Sequence, residues 1–192
     1  MTSCSARSVD LSSRGEGPES EIGFVADSMH GKLARWLRIL GYDTVYWRGD
    51  DEDLLDLASN SGRILLTSDV ELHRAALKRN VRSVLLPLEG IEVQLAEVAA
   101  YVRDRLGIHP ERFLSPEATR CSLCNGGLVQ ISDELWECSS CGQRYWEGSH
   151  WRRIETTLRK ALEIALTKSS ADAGSGCEEG NLTANRVEGR ER

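Results

Sequence analysis

The chain predicts an α/β fold with a parallel sheet, because short apolar runs alternate with amphipathic segments four times between residues 22 and 106. Two further observations sharpen that expectation. The first and third apolar runs both stop at an aspartate, Asp27 and Asp69. The segments between runs repeat apolar residues at helical spacing, which predicts right-handed crossovers with helices on both faces of the sheet. In open sheets of this kind, sites form at the carboxyl ends of strands.

Residues 22–26 (IGFVA) read as a buried strand that delivers Asp27 to its end. Residues 28–40 follow as a helix closed by Gly41. At ~100° per residue, Leu33, Trp36, Leu37 and Leu40 share one arc, and Lys32, Arg35 and Arg38 share the opposite one. The basic arc fits two readings, a solvated helix face or a contact to phosphate backbone. Residues 44–48 (TVYWR) are β-branched and aromatic and predict the second strand, broken by Gly49. Asp50, Asp51, Glu52 and Asp53 open the next helix, where carboxylates cap free N–H groups and oppose the dipole. Four acids exceed what one cap needs, so one of them can also face a site.

Residues 63–68 (RILLTS) predict the third strand, ending at Asp69, with Glu71 two residues on. Residues 69–79 continue as a helix, 81–87 as a fourth strand and 92–106 as a long helix. Residues 107–119 contain Pro110 and Pro116 and little periodicity, and read as a linker. The sheet domain therefore spans residues 22–115. A second unit, residues 119–167, holds a cysteine module and a helix from His150 in which Trp151, Ile154, Leu158, Leu162 and Leu166 step at helical spacing. That helix folds back on the module or on the sheet domain. Residues 1–20 and 168–192 are rich in Ser, Gly and charge and read as disordered tails, with Cys4 and Cys177 as bystanders.

The cysteine module has the most specific spacing in the chain. Cys121 and Cys124 form one C-x-x-C pair and Cys138 and Cys141 another. Four thiolates so arranged fit tetrahedral Zn²⁺ with no open position, hence a structural site. An iron centre uses the same ligand set, and a redox dithiol is a further alternative. His150 is not needed, because four thiolates complete the shell. Tyr145, Trp146 and Trp151 can stack on single-stranded bases or cover the module.

The totals bound the answer. A hydrophobic fraction of 40% permits a globular core, and no apolar run approaches the ~20 residues of a membrane span. Residues 1–20 lack the apolar stretch of a secretory signal, so a cytoplasmic location is expected. A net charge of −6 does not suggest a non-specific nucleic-acid binder, nor does it exclude a nuclease that is acidic around its metals and basic only locally. Six cysteines in such a chain favour metal over disulfides. No P-loop, G-x-S-x-G or G-x-G-x-x-G is present. A response-regulator receiver needs a lysine after a late strand, and residues 84–89 (VLLPLE) offer none.

Asp27, Asp69 and Glu71 at strand ends, with Asp51 heading a helix nearby, repel one another unless they bind a cation or a proton. Hard oxygen ligands suit Mg²⁺ or Mn²⁺, whose chemistry is phosphoryl or phosphodiester transfer. At this point a family resemblance emerges. FVADSMHGKLARWLRILGYDT (24–44), DDEDLLDLA (50–58), RILLTSDVEL (63–72), CSLCNGGL (121–128) and WECSSCGQRYWEGSHW (136–151) together resemble the Mut-7 C-terminal RNase domain. That family is a PIN-like nuclease with a C-terminal zinc ribbon. The resemblance implies a PIN-like three-layer domain and a metal-dependent ribonuclease acting on RNA, single-stranded in the first instance. Carried over by position, Asp27, Asp51 and Asp69 would hold Mg²⁺ or Mn²⁺, with Asp50 or Asp53 as alternatives for the second acid. Glu71 would assist as a fourth catalytic acid, and Lys32, Arg35 and Arg38 would hold the RNA backbone. Ser68 stands where the family usually carries an arginine, which would weaken phosphate binding, and the segment between the cysteine pairs looks short. A non-catalytic RNA-binding or adaptor module built on the ribbon is the alternative.

Overall fold

The computed structural model describes residues 22–116, 119–146 and 148–171. The strands of the main sheet are β1 (Gly23–Ala26), β2 (Asp43–Tyr46), β3 (Ile64–Thr67) and β4 (Ser83–Leu85). All pair in parallel, in the order β2-β1-β3-β4. The chain therefore leaves β1 in one direction to form β2, then crosses back over β1 to form β3. This reversal makes the carboxyl ends of β1 and β3 the switch point of the sheet, where crossovers diverge and leave a crevice. Asp27 directly follows β1, and Asp69 follows β3 after the single residue Ser68.

Helices cover both faces. They are α1 (Gly31–Ile39), α2 (Asp51–Ser61), α3 (Val70–Lys78) and α4 (Ile91–Leu106), and a single 3-10 turn (Ser28–His30) precedes α1. Phe24, Ala26, Ile64, Leu66 and Val84 point to one side and pack with Leu33 and Leu37 of α1 and Leu95, Val98 and Val102 of α4. Val25 and Leu65 point to the other and pack with Leu54, Leu55 and Ala58 of α2 and Leu72 and Ala76 of α3. The period of two along β1 and β3 thus feeds two cores, giving three layers. Asp50 caps α2 by accepting the Asp53 N–H at 3.0 Å, and α2 ends at Gly62 with φ 64°, where a side chain would be strained.

One expectation is corrected and one open alternative is decided. Residues 107–119 are not a linker. They carry a short helix, α5 (Pro110–Phe113), whose Phe113 is fully buried. Its ring stacks on Tyr42 at 4.6 Å, and the Tyr42 hydroxyl donates to the Phe113 carbonyl at 3.0 Å. One buried aromatic has no period, so the prolines dominated the sequence pattern. The last helix, α6 (Ser149–Ala171), chooses the sheet domain over the cysteine module. Leu158, Ala161 and Ala165 join the core beside α4, and Arg103 donates to the Ala165 carbonyl at 3.2 Å. It also runs to Ala171, beyond the expected start of a disordered tail at residue 168. The tails at 1–20 and 172–192, with Cys4 and Cys177, lie outside the described residues. Among the described residues, no helix is long and apolar enough to cross a membrane.

Residues 121–146 form the second unit, an antiparallel sheet of β5 (Leu128–Ser132), β6 (Leu135–Cys138) and β7 (Arg144–Trp146).

Candidate active site and cysteine metal centre

Asp27 follows β1 beside the end of β3 and is buried, 6% exposed. Its Oδ1 accepts the Met29 N–H at 2.8 Å, which starts the 3-10 turn. Its Oδ2 accepts the hydroxyl of Thr67, the last residue of β3. The same Thr67 oxygen accepts the backbone N–H of Asp69 at 2.9 Å. One threonine hydroxyl therefore ties the first acid to the third. The Asp69 carboxylate caps α3, accepting the N–H groups of Glu71 at 2.7 Å and Leu72 at 3.0 Å.

The other acids sit more loosely. Asp51 is the exposed first residue of α2, at the same edge of the sheet, after a turn in which the Trp47 indole donates to the Asp50 carbonyl at 2.9 Å. Of its neighbours, Asp50 serves as the cap, and Glu52 pairs with Arg79, the residue that ends α3. Glu71 is exposed and its carboxylate meets Arg74 at 2.7 Å, one turn along α3. Among the described residues, a group of three or more ligand atoms within 4.8 Å of one another is formed by the four cysteines and not by these acids. Asp27 and Asp69 offer hard oxygen donors, and Mg²⁺ is commonly held by one or two carboxylates with waters and substrate phosphates completing its shell. The donor chemistry therefore fits such an ion without a closed protein cage.

Beside Asp27, His30 is 2% exposed. Its Nε2 lies 2.9 Å from Ser68 Oγ, and Ser68 donates its proton to the Leu86 carbonyl at 2.8 Å. Burial holds the His30 pKa below the ordinary histidine value, with the Asp27 carboxylate opposing. Ser68 is thus taken up by protein partners at the position where an arginine was expected.

Of the three basic residues assigned to RNA, Lys32 and Arg35 are exposed on α1 and Arg38 is not. Arg38 is 7% exposed. Its Nε donates to the Thr44 carbonyl at 2.9 Å, and its Nη1 to the carbonyls of Ser122 and Leu123 at 3.1 and 2.8 Å. Burial lowers its pKa, offset by the sulfurs of Cys121 and Cys124. The expectation of an RNA-facing Arg38 is therefore overturned. Helical spacing assigned it an arc, but the cysteine unit docks on that arc and buries it.

Sulfur geometry in that unit suits a tetrahedral ion. Cys121 and Cys141 are 3.6 Å apart at sulfur, and Cys124 and Cys138 are 3.4 Å apart. A tetrahedron with Zn–S near 2.3 Å needs about 3.8 Å. Tyr145 places its hydroxyl 3.1 Å from Cys121 sulfur. Burial pushes the Cys121 thiol up, but hydrogen bonds from Tyr145 and from backbone N–H groups outweigh it and bring it to about 6. At Cys141 a backbone N–H from Gln143 works downward, yet the neighbouring sulfurs prevail and push it up to about 12. Four clustered thiols without a cation cannot all ionise, which is the demand a divalent metal meets. Gly126 is required by the first knuckle: a Cβ there would lie 2.9 Å from Ser140 Cβ and 3.0 Å from Cys138 sulfur.

The cysteine unit is anchored far from the acids. Thr119 donates to the Ile39 carbonyl at 2.9 Å, and the Arg120 N–H donates to the Arg38 carbonyl at 2.8 Å. Asn125, at φ 70°, accepts the Thr44 N–H at 3.2 Å and donates to Asp43, which Arg63 also holds at 2.7 Å. The Arg63 guanidinium, with lesser help from Asn125, keeps the Asp43 carboxyl below the usual range against the effect of burial. Asp43 pairs with Gly23 at the start of β1, whereas Asp27 follows its end. Four residue steps along the strand separate the two levels, about 13 Å. Sequence reasoning missed this docking network and the Thr67 link. Asn125, in an Asn-Gly-Gly stretch, is the one signal of that network in the sequence.

A doubly covered parallel sheet with two coupled acids at its switch point, followed by a four-cysteine ribbon, defines the class of this protein. Residues 22–158 match the model of the Mut7-C RNAse domain, and the chain belongs to that family. No curated protein and no solved structure matches it.

Proposed function

We propose that the protein is a ribonuclease dependent on Mg²⁺ or Mn²⁺, cutting single-stranded RNA in the cytoplasm, with Zn²⁺ structural in the ribbon. The observation that carries the proposal is the Thr67 link between Asp27 and Asp69 at the switch point, in a chain of an RNase-domain family. Asp27 and Asp69, with Asp51 from the rim, would hold the ion. When bound, the ion supplies Lewis-acid activation of the scissile phosphodiester. Thr67 orients Asp27 by donating to its Oδ2. Met29 N–H fixes the second oxygen, so the carboxylate plane does not rotate. Glu71 would contribute at the rim after leaving Arg74. Lys32 and Arg35 hold RNA backbone by charge, and Arg38 has no part in that contact.

The proposal is tested by stripping the acid-site metal while retaining zinc, then refilling with Mn²⁺ or Mg²⁺ over end-labelled single-stranded RNA. Cutting that appears only on refilling supports it. Cutting unchanged by metal rejects it.

A second reading, non-catalytic RNA binding by the ribbon, is favoured by one observation. Trp146 is 70% exposed on β7, two residues from the exposed Arg144. The Arg144 guanidinium is paired with Glu137 at 2.7 Å, and the exposed tryptophan offers a face for base stacking. That reading predicts RNA binding without cleavage, abolished in Trp146→Ala.

A further inference from the structure

We infer that His30 is a positioning residue for the acid edge, holding the Ser68–Asp69 turn against Asp27 through the N–H at its Nε2. The inference rests on the metal-site reading above. Its first support is the direction of a hydrogen-bond chain. Ser68 has one hydroxyl proton, and the Leu86 carbonyl can only accept, so that proton lies on the Ser68–Leu86 bond at 2.8 Å. Ser68 Oγ must then accept from His30 Nε2 at 2.9 Å. The neutral ring carries its proton on Nε2, and Nδ1 is left a bare acceptor.

That acceptor is buried and has no hydrogen-bond partner. The Gln94 amide nitrogen donates to the Pro87 carbonyl at 3.2 Å, and the Gln94 side chain also stands against the His30 ring and raises its pKa without meeting hydrogen-bond geometry at Nδ1. A buried unpaired acceptor is unfavourable. A leucine would fill the same space without that penalty. What the imidazole provides in return is the donor to Ser68.

The donor acts at a sensitive place. Ser68 stands between Thr67, bound to Asp27, and Asp69, whose N–H returns to Thr67. The 3-10 turn carrying His30 is itself started by Asp27, and the His30 N–H donates to the Asp27 carbonyl at 3.0 Å. Residues 67–69 are therefore pinned from β1 through Thr67, and from the 3-10 turn and the end of β4 through Ser68. Groups that orient metal ligands typically alter metal affinity by about 10–100-fold when removed.

The test is a calorimetric titration of the zinc-loaded full chain with Mn²⁺, with Asp69→Asn as the reference lacking the site. His30→Leu and Ser68→Ala are expected to weaken Mn²⁺ by about tenfold or more. His30→Gln, whose amide can reach Ser68, is expected to bind close to the original chain. The RNA KM stays and kcat falls in the Leu variant, and its thermal midpoint does not drop. Mn²⁺ affinity in His30→Leu within about twofold of the original chain would overturn the inference while leaving the metal site standing. Absence of any Asp69-dependent Mn²⁺ binding in the original chain would overturn the metal reading and the inference together. Should the leucine variant fail to fold, long-range ¹H–¹⁵N correlation on the original chain reads the tautomer directly. A proton on Nε2 supports the inference, and a proton on Nδ1 overturns it.

Discussion

The hydroxyl of Thr67 donates to the buried carboxylate of Asp27, across the switch point between β3 and β1. Since the same oxygen receives the Asp69 N–H, removing it unties both acids. We predict that Thr67→Val destabilises the fold by about 2 kcal/mol, the range for a lost hydrogen bond to a charged group. Thr67→Ser retains the hydroxyl and most of that stability. Urea unfolding of both variants measures the difference, and equal loss in the two would remove the hydroxyl from the account.

Arg38 and its helix neighbours separate structure from RNA contact. Arg38→Lys cannot satisfy three carbonyls with one ammonium in fork geometry, so it loses about 2 kcal/mol or more of stability. RNA affinity per folded molecule is unchanged. Lys32→Ala with Arg35→Ala does the reverse: stability holds, RNA binding weakens on every sequence, and the salt dependence becomes shallower. Salt titrations of RNA affinity read this directly. A steep salt slope retained in the double variant would place the RNA elsewhere.

Ribbon and sheet domain share Arg38, Asn125 and Thr119 contacts, so loss of the ribbon metal is felt beyond the ribbon. Chelation is predicted to release protection of the amides of residues 121–146 and also of Asp43 and Thr44. Gly126→Ala weakens zinc retention, because its Cβ meets Cys138 sulfur. Hydrogen exchange with and without chelator checks the first, and competition with a colorimetric chelator checks the second. Protection of Asp43 and Thr44 that ignores the metal would show the two units to be independent.

Acid sensitivity follows from two histidines. Burial lowers the pKa of His30, opposed by Asp27, and burial lowers that of His73. The unfolded chain takes up these protons near the ordinary value of 6.5, while the folded chain resists. The stability involved is present above about pH 6.5 and is lost as pH falls below it. Denaturant midpoints between pH 7.5 and pH 5 are predicted to fall, and to fall less in His73→Gln. Midpoints flat across that range would contradict the burial.

Much of this is legible in the sequence, for physical reasons. Strands β1 and β3 are continuous apolar runs because both of their faces are buried, and each ends at an acid because parallel strands deliver their carboxyl ends to one edge. Cys121, Cys124, Cys138 and Cys141 declared themselves by spacing alone. What resisted were contacts between distant segments. Arg38 looked like its neighbours Lys32 and Arg35 until Ser122 and Leu123 covered it. Phe113 is a single aromatic among prolines, and only its contacts with Tyr42 and Phe24 reveal it as core. Thr67 and His30 act through partners 40 and 38 residues away, and local pattern carries no trace of that.

The most direct test compares the original chain with Asp69→Asn, both zinc-loaded, on end-labelled single-stranded RNA in Mn²⁺. Amide in place of carboxylate keeps the α3 cap oxygen and removes the charge. The account predicts cutting by the original chain, at least a hundredfold weaker cutting by the variant (about 3 kcal/mol of lost transition-state stabilisation), and matching thermal midpoints. Equal cutting by both proteins would contradict an active site at the ends of β1 and β3.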